Sequence, residues 1–186
     1  MKLVSIFVAK NSEEGIWSIR SDGEPRNEFV KFFDLMKDVE WLYNFFDEHE
    51  DDLYDGFFGN WTIEMAVSRT LEEAKEIENV LYAYSERGFE GPGKNLQHLF
   101  RPLNNFEYTI TTHQKSKARI RGGWLRLYAI RLAENCYLVT GGAIKLTPDM
   151  QRSHLQNELK KLEWAKQLLR SHEIYYTEDL NPYKNE

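Results

Sequence analysis

Between Lys115 and Arg170 the hydrophobic rhythm changes once, and that change restricts the fold more than any other feature of the chain. From Lys117 to Thr147 apolar and polar residues alternate with the two-residue period of a half-buried strand. From Leu155 onward the leucines at 155, 159, 162 and 169, aided by Trp164 and Ala165, follow the period of a helix. The segment therefore predicts strands over 117–121, 124–132, 136–140 and 143–147, then a closing helix. Gly122-Gly123 reads as a tight hairpin turn and Glu134-Asn135 as a second turn. Gly141-Gly142 marks a bulge or a close backbone approach. Thr147 or Asp149 is the expected cap of the closing helix, with Pro148 near its first turn.

Upstream the order is reversed. Leu3 to Val8 suits a buried strand, and 16–20 a second short one. Phe29, Phe32, Phe33 and Met36 then fall on one helical face, and Trp41, Leu42, Phe45 and Phe46 repeat the pattern, predicting helices over 27–36 and 39–49. The acidic run Glu48, Glu50, Asp51, Asp52 and Asp55 lacks the spacing and central glycine of a calcium loop, so it reads as a solvated acidic surface that frays or pairs with basic groups. Phe57, Phe58 and Trp61 form an aromatic loop that packs beneath itself, covers a groove or contacts a partner. Thr70 and Glu73 have the spacing of a capping box, and Ala74, Ile77, Leu81 and Tyr84 give one apolar face, predicting a helix over 71–87 that Met65 and Val67 extend upstream and Gly88 ends. A loop over 89–94, a helical turn over 95–100 and a strand over 106–111 follow. Helices followed by an antiparallel meander of three to four strands and a closing helix indicate an α+β fold. We read one domain over 1–186, with residues 1–62 as an added strand and helical elaboration and residues 173–186 as a loose tail.

The net charge of −6 hides an asymmetry: residues 1–112 carry −11, residues 113–170 carry +8 and residues 171–186 carry −3. Such a split points to an anionic partner on one face, or to oppositely charged parts of the chain packing on each other. The single cysteine, Cys136, excludes an internal disulfide, fits a reducing cytoplasm, and reads as a buried thiol rather than a nucleophile. No CxxC or HExxH spacing, nucleotide loop or nucleophile elbow is present, so no metal or cofactor is expected. No apolar run is long enough for a membrane helix.

Alternation places Lys115, Lys117, Arg119 and Arg121 on one face of one strand, and Trp124, Arg126 and Tyr128 on one face of the next, with Lys145 near the end of the last. Several cations with a phenol on one sheet face suit a phosphate backbone, and Trp124 and Tyr128 are the rings placed to stack bases. The alternative is a solvated basic face with both rings packed beneath a helix.

The strand pattern with these side chains resembles the RelE/HigB-like superfamily, the ribosome-dependent mRNA endonuclease toxins of bacterial type II toxin–antitoxin systems. The match spans about 71–170, within a core placed at 63–172. Leu99-Phe100-Arg101-Pro102-Leu103 stands at the family's "L…PL" turn, Trp124 to Ile130 at its central strand, and Tyr137 to Pro148 at the following strand and helix start. Thr140 replaces the family's usual histidine, and Lys145-Leu146 its paired lysines. The resemblance implies Arg126, Tyr128 and Lys145 as the catalytic set. It implies Lys117, Arg119 and Arg121 as contacts to message or ribosomal RNA, to which the strand-face reading adds Lys115 and Trp124, and a helix-turn-helix antitoxin as partner. Cleavage would proceed by attack of a 2′-hydroxyl on the adjacent phosphate, with His113 or His154 as further proton carriers if they fold inward. A non-catalytic protein on the same scaffold, its basic sheet covered by an acidic partner or by its own N-terminal half, is the rival. The two separate on whether Arg126 and Lys145 reach solvent in a concave site.

Overall fold

The computed structural model describes residues 2–9, 12–54, 56–86, 96–104 and 111–184. The strand expected over 106–111, the loop over 89–94 and the stop at Gly88 lie wholly or almost wholly outside them. The strands are β1 (Lys2–Val8), β2 (Gly15–Arg20), β3 (Phe100–Pro102), β4 (Gln114–Ala118), β5 (Leu125–Ala133) and β6 (Cys136–Ile144). The α-helices are α1 (Glu28–Lys37), α2 (Val39–Glu48), α3 (Glu50–Leu53), α4 (Ile63–Glu86), α5 (Leu96–Leu99) and α6 (Ser153–Ser171), followed by a 3-10 helix at Thr177–Tyr183. All six strands form one mixed sheet in the order β1-β2-β6-β5-β4-β3.

The α+β class holds, but the arrangement is richer than a meander with appendages. The antiparallel β4-β5-β6 run is present, and the β1-β2 hairpin joins its edge through a parallel pairing of β2 with β6. That pairing has no local signal, because parallel partners are brought together by distant chain. Two layers cover the sheet. Leu125, Leu127, Ala129 and Val139 face the helices α1, α2 and α4, with Phe32, Phe46, Ile77 and Leu81 among the buried partners. Tyr128, Ile130, Leu138 and Ala143 face α6, through Leu155, Leu162, Ala165 and Leu169. The leucine stripe of α6 is thus the cover for one sheet face.

Local chemistry fixes the helix starts. Asn27 and Asp38 cap α1 and α2, accepting hydrogen bonds from the amides of Val30 and Trp41, both at 3.0 Å. The Ser18 hydroxyl donates to the Val139 carbonyl and accepts from the Phe29 amide, tying the start of α1 to the sheet.

Four local expectations are corrected. Thr70 and Glu73 lie inside α4 rather than at its start, because the apolar face continues upstream through Ala66 and Val67. Gly122-Gly123 is part of a longer connection, since β4 ends at Ala118 and β5 starts at Leu125. Glu73 explains it: its buried carboxylate accepts from the amides of Trp124 at 3.1 Å and Leu125 at 2.8 Å, and a Cβ on Gly123 would lie 2.0 Å from Oε1. The closing helix begins at Ser153 after Arg152, with no side-chain cap, rather than at Thr147 or Asp149. The tail is packed as far as Lys184: Ile174 and Leu180 are buried, and Lys184 donates to the Ser12 carbonyl at 2.7 Å.

Candidate functional site

Which face Lys145 occupies is decided by one extra residue. Tyr128 pairs with Gly141 and Ala129 with Val139, so the ladder slips at Thr140. Before the slip the odd-numbered residues Tyr137 and Val139 face the helical layer. After it the even-numbered Ile144 does, and Ala143 faces α6. Gly141 permits the bulge with φ of +152°. Alternation then sends Lys145 to the α6 side, where Arg126 and Tyr128 project. The bulge expected at the glycine pair is the device that assembles the site.

On that side a cleft of about 380 Å³ opens, lined by Lys117, Arg119, Arg126 and Lys145 with Tyr128 in its wall. The connection after β6 supplies Thr147, Pro148 and Met150, and the loop between α3 and α4 supplies Phe57 and Phe58 at the mouth. Lys117 stands opposite Tyr128 across the β4-β5 ladder. Its Nζ donates to the Leu103 carbonyl at 2.9 Å. The guanidinium Nη1 of Arg126 donates to the carbonyls of Gly123 at 2.9 Å and Leu125 at 2.7 Å. Nζ of Lys145 donates to the Thr147 carbonyl at 2.5 Å. Among the described residues no carboxylate forms an ion pair with Lys117, Arg119, Arg126 or Lys145.

The electrostatic result is a strained cluster of like charge. Burial lowers the proton affinity of the Lys117 amine, and Arg126 and Arg119 lower it further. Burial does the same to Lys145, reinforced by Arg126 and Lys117 and opposed by Asp149. Arg126 is only 6% exposed and is also pulled down by burial and by Arg119. The Tyr128 phenol is pushed up by burial, so it stays protonated and acts as a donor; its hydroxyl faces the Met150 sulfur at 3.6 Å.

Other candidates lie elsewhere. Trp124 is 1% exposed: it turns to the helical layer, packs against Phe46, Phe58 and Trp61, and donates its indole N–H to the Thr70 hydroxyl at 2.9 Å. It is thus unavailable to a base, because it precedes β5 rather than continuing its alternation. Lys115 is held by Glu163 of α6. Arg121 is exposed and outside the cleft. His113 is buried, and its Nε2–H donates to the Ile174 carbonyl at 2.7 Å. His154 lies across the β6–α6 connection. Neither histidine enters the basic cleft.

Phe57 is the residue that periodicity could not assign. Its ring is 65% exposed, and it meets Phe58 edge to face at 5.0 Å, while Phe58 packs on Trp124. The aromatic loop thus does two of the things the sequence allowed: Phe58 anchors it on Trp124, and Phe57 and Phe58 both line the cleft. Cys136 is buried, and burial raises its thiol far from the thiolate range. Among the described residues no group of three or more His, Cys, Asp or Glu is placed to hold a metal ion, and no helix is long and apolar enough to cross a membrane. Comparison of the chain with protein-family models, with curated proteins and with solved structures gives no match.

Proposed function

We propose that the basic cleft binds the phosphodiester backbone of an RNA, and that the chain is a toxin-like, ribosome-dependent RNA endonuclease. The observation that supports this reading is the set of concave cations, Lys117, Arg119, Arg126 and Lys145, with no carboxylate partner among the described residues. Lys117, Arg126 and Lys145 are held by backbone carbonyls, these cations and Arg119 repel one another, and an arriving phosphate relieves that repulsion as well as satisfying their N–H groups. Arg126 and Arg119 carry the charge that grows on the phosphate as the 2′-hydroxyl attacks. Lys117 and Lys145, whose amines give up protons more readily than ordinary lysines, serve proton transfer, and the Tyr128 phenol donates a hydrogen bond. Phe57 stacks a base at the cleft mouth. An antitoxin with an acidic segment would neutralise the protein by occupying the same cations.

Two observations favour a rival. Arg126 is only 6% exposed, short of the solvent access that separates the two readings. The cleft holds neither imidazole nor carboxylate, so the same cations also suit a protein that binds an acidic partner without cutting RNA. Cleavage of a message in a purified translation system separates the two. Ribosome-dependent cuts by the wild type that disappear in Arg126→Ala/Lys145→Ala support the nuclease. Absence of cuts, with RNA binding that is independent of those two residues, overturns both the nuclease and the placement of the site.

A further inference from the structure

A second cleft, of about 460 Å³, opens on the other side of the β6–α6 connection, and nothing in the basic-cleft reading uses it. Its origin is topological. β2 pairs with β6 only as far as Ser18 opposite Val139, so beyond Thr140 that edge of β6 is free. The gap is closed by α1 and α2 from one layer and by α6 from the other. The volume suits a small molecule.

Its polar groups are arranged unequally. Nζ of Lys161 donates to Glu28 Oε2 at 2.8 Å and to Glu158 Oε1 at 2.9 Å, and Lys31 holds the other Glu28 oxygen at 3.2 Å. Glu158 is 6% exposed, and its Oε2 has no hydrogen-bond partner. It lies against Gly141, where a Cβ would stand 2.2 Å away. His154 donates from Nε2 to the free-edge carbonyl of Ile144 at 2.9 Å, which leaves Nδ1 as an acceptor, and Nδ1 is also buried without a partner. Leaving buried polar atoms unsatisfied is costly, so two in one cleft call for an explanation. Beside them one wall is aromatic: Trp41, Phe45 and His49 stack on one another, with ring centroids 5.2 and 4.2 Å apart and interplanar angles of 24° and 18°, and His154 meets Phe45 edge to face at 5.2 Å.

We propose that this cleft binds an amino-substituted heteroaromatic ring, such as a purine or pyrimidine base, whose N–H groups bond Glu158 Oε2 and His154 Nδ1 while its face packs on the Trp41–Phe45 wall. Two orphaned acceptors call for a donor-bearing ligand, and rings that already face one another within a stack pack on a flat ligand through their edges, in edge-to-face contact. Burial holds the Glu158 carboxyl above its ordinary range despite Lys161, which is the cost that a donating ligand relieves. The base belongs either to a free nucleobase or nucleoside or to an unstacked nucleotide of a bound RNA.

The test is titration of the full chain with adenine, with purine as the analogue lacking the amino group, followed by amide and indole N–H chemical shifts. Adenine should move the resonances of Gly141 to Ile144 and the Trp41 indole, and purine should bind about tenfold more weakly or less. Glu158→Gln keeps the shape, but Lys161 holds the amide oxygen and turns its NH₂ toward the ligand, so adenine affinity should fall by about tenfold or more. The wild-type shift map stands independently if that variant fails to fold. A short single-stranded RNA that moves the same resonances in the wild type but not in Arg126→Ala/Lys145→Ala identifies the ligand as part of an RNA. Adenine shifts without oligonucleotide shifts identify a free base. Adenine that leaves Gly141 to Ile144 unmoved at millimolar concentration, or that binds Glu158→Gln as tightly as the wild type, overturns the proposal whether or not the basic cleft binds RNA.

Discussion

The two clefts flank the β6–α6 connection and both contain lysines, yet they treat positive charge in opposite ways. Around Lys161 and Lys31 every ammonium meets carboxylates: Lys161 bridges Glu28 and Glu158, and Lys31 bridges Glu24 and Glu28. Around Lys117 and Lys145 each ammonium donates to a backbone carbonyl and is repelled by neighbouring cations, with Asp149 offsetting part of that repulsion at Lys145 and no carboxylate paired with either among the described residues. In the first cleft the lysines end up harder to deprotonate than usual, because carboxylates outweigh burial. In the second they are easier to deprotonate, because burial and like charge act together. Paired cations belong to the fold. Unpaired, desolvated cations in a concavity are what the proposed phosphate site rests on.

The largest effect that could break this contrast is functional. If Arg126 and Lys145 stabilise a reacting phosphate, Arg126→Ala/Lys145→Ala should slow RNA cleavage by about 10²–10⁴-fold. Each removed phosphate contact should also flatten the salt dependence of RNA binding, lowering the log–log slope by about 1. Unchanged rates with a changed slope would leave the cleft as a binding surface only. Next comes the anchor behind the basic turn. Glu73→Ala strips two buried amides, those of Trp124 and Leu125, of their acceptor. The expected loss is about 2–4 kcal/mol of stability, read from urea unfolding, with the cleft disordered before global melting. A loss below about 1 kcal/mol would mean that the turn is held by Trp124 packing alone.

Those two predictions differ in how far the sequence reveals their residues. Arg126, Tyr128, Lys145, Lys117 and Arg119 were legible because strand alternation projects side chains predictably, and all five line one cleft. Lys145 needed more than alternation, since only the slip at Thr140 puts it on that face. The glycine pair signalled the slip but not its direction. Trp124 misled because it lies in the connection, just before β5 begins. Thr70 and Glu73 misled for another reason: their spacing satisfies a local capping rule, while tertiary structure spends the same atoms on Trp124 and Leu125. The α+β class was legible from the order of periodicities. The parallel β2-β6 pairing, and the open β6 edge that it leaves, depend on contacts between residues far apart in sequence, and no local pattern encodes them.

Lys161→Met probes the paired cleft on the same scale. It leaves Glu158 without its cation and Glu28 with Lys31 alone. Lys161 is 40% exposed in its side chain, so solvent screens much of the interaction and the expected loss is about 1 kcal/mol. Because burial then acts on Glu158 unopposed, the loss should shrink at acid pH, where the carboxyl is protonated. A loss that is constant across pH would place the contribution of Lys161 in packing of its methylenes instead.

The smallest expected effect is the most direct contrast between the clefts. Lys117 binds its proton less tightly folded than unfolded, so in the window between its lowered value and the ordinary 10.5 the unfolded chain holds more protons. Stability contributed by this group therefore rises with pH through that window. Lys161 has the reverse shift, so its contribution is full below 10.5 and is lost only as pH climbs past its raised value. Chemical unfolding from pH 7 to 10 should show Lys117→Met stabilising the chain at pH 7 by less than about 1 kcal/mol and losing that advantage as pH rises. Phosphate binding should follow the same proton: a bound anion restores the affinity of Lys117 and Lys145 for it, so affinity falls as pH rises through the lowered values. A Lys117→Met variant with the same pH dependence as the wild type in both measurements would show that its amine is solvated after all, and the two clefts would then differ in shape rather than in how they hold charge.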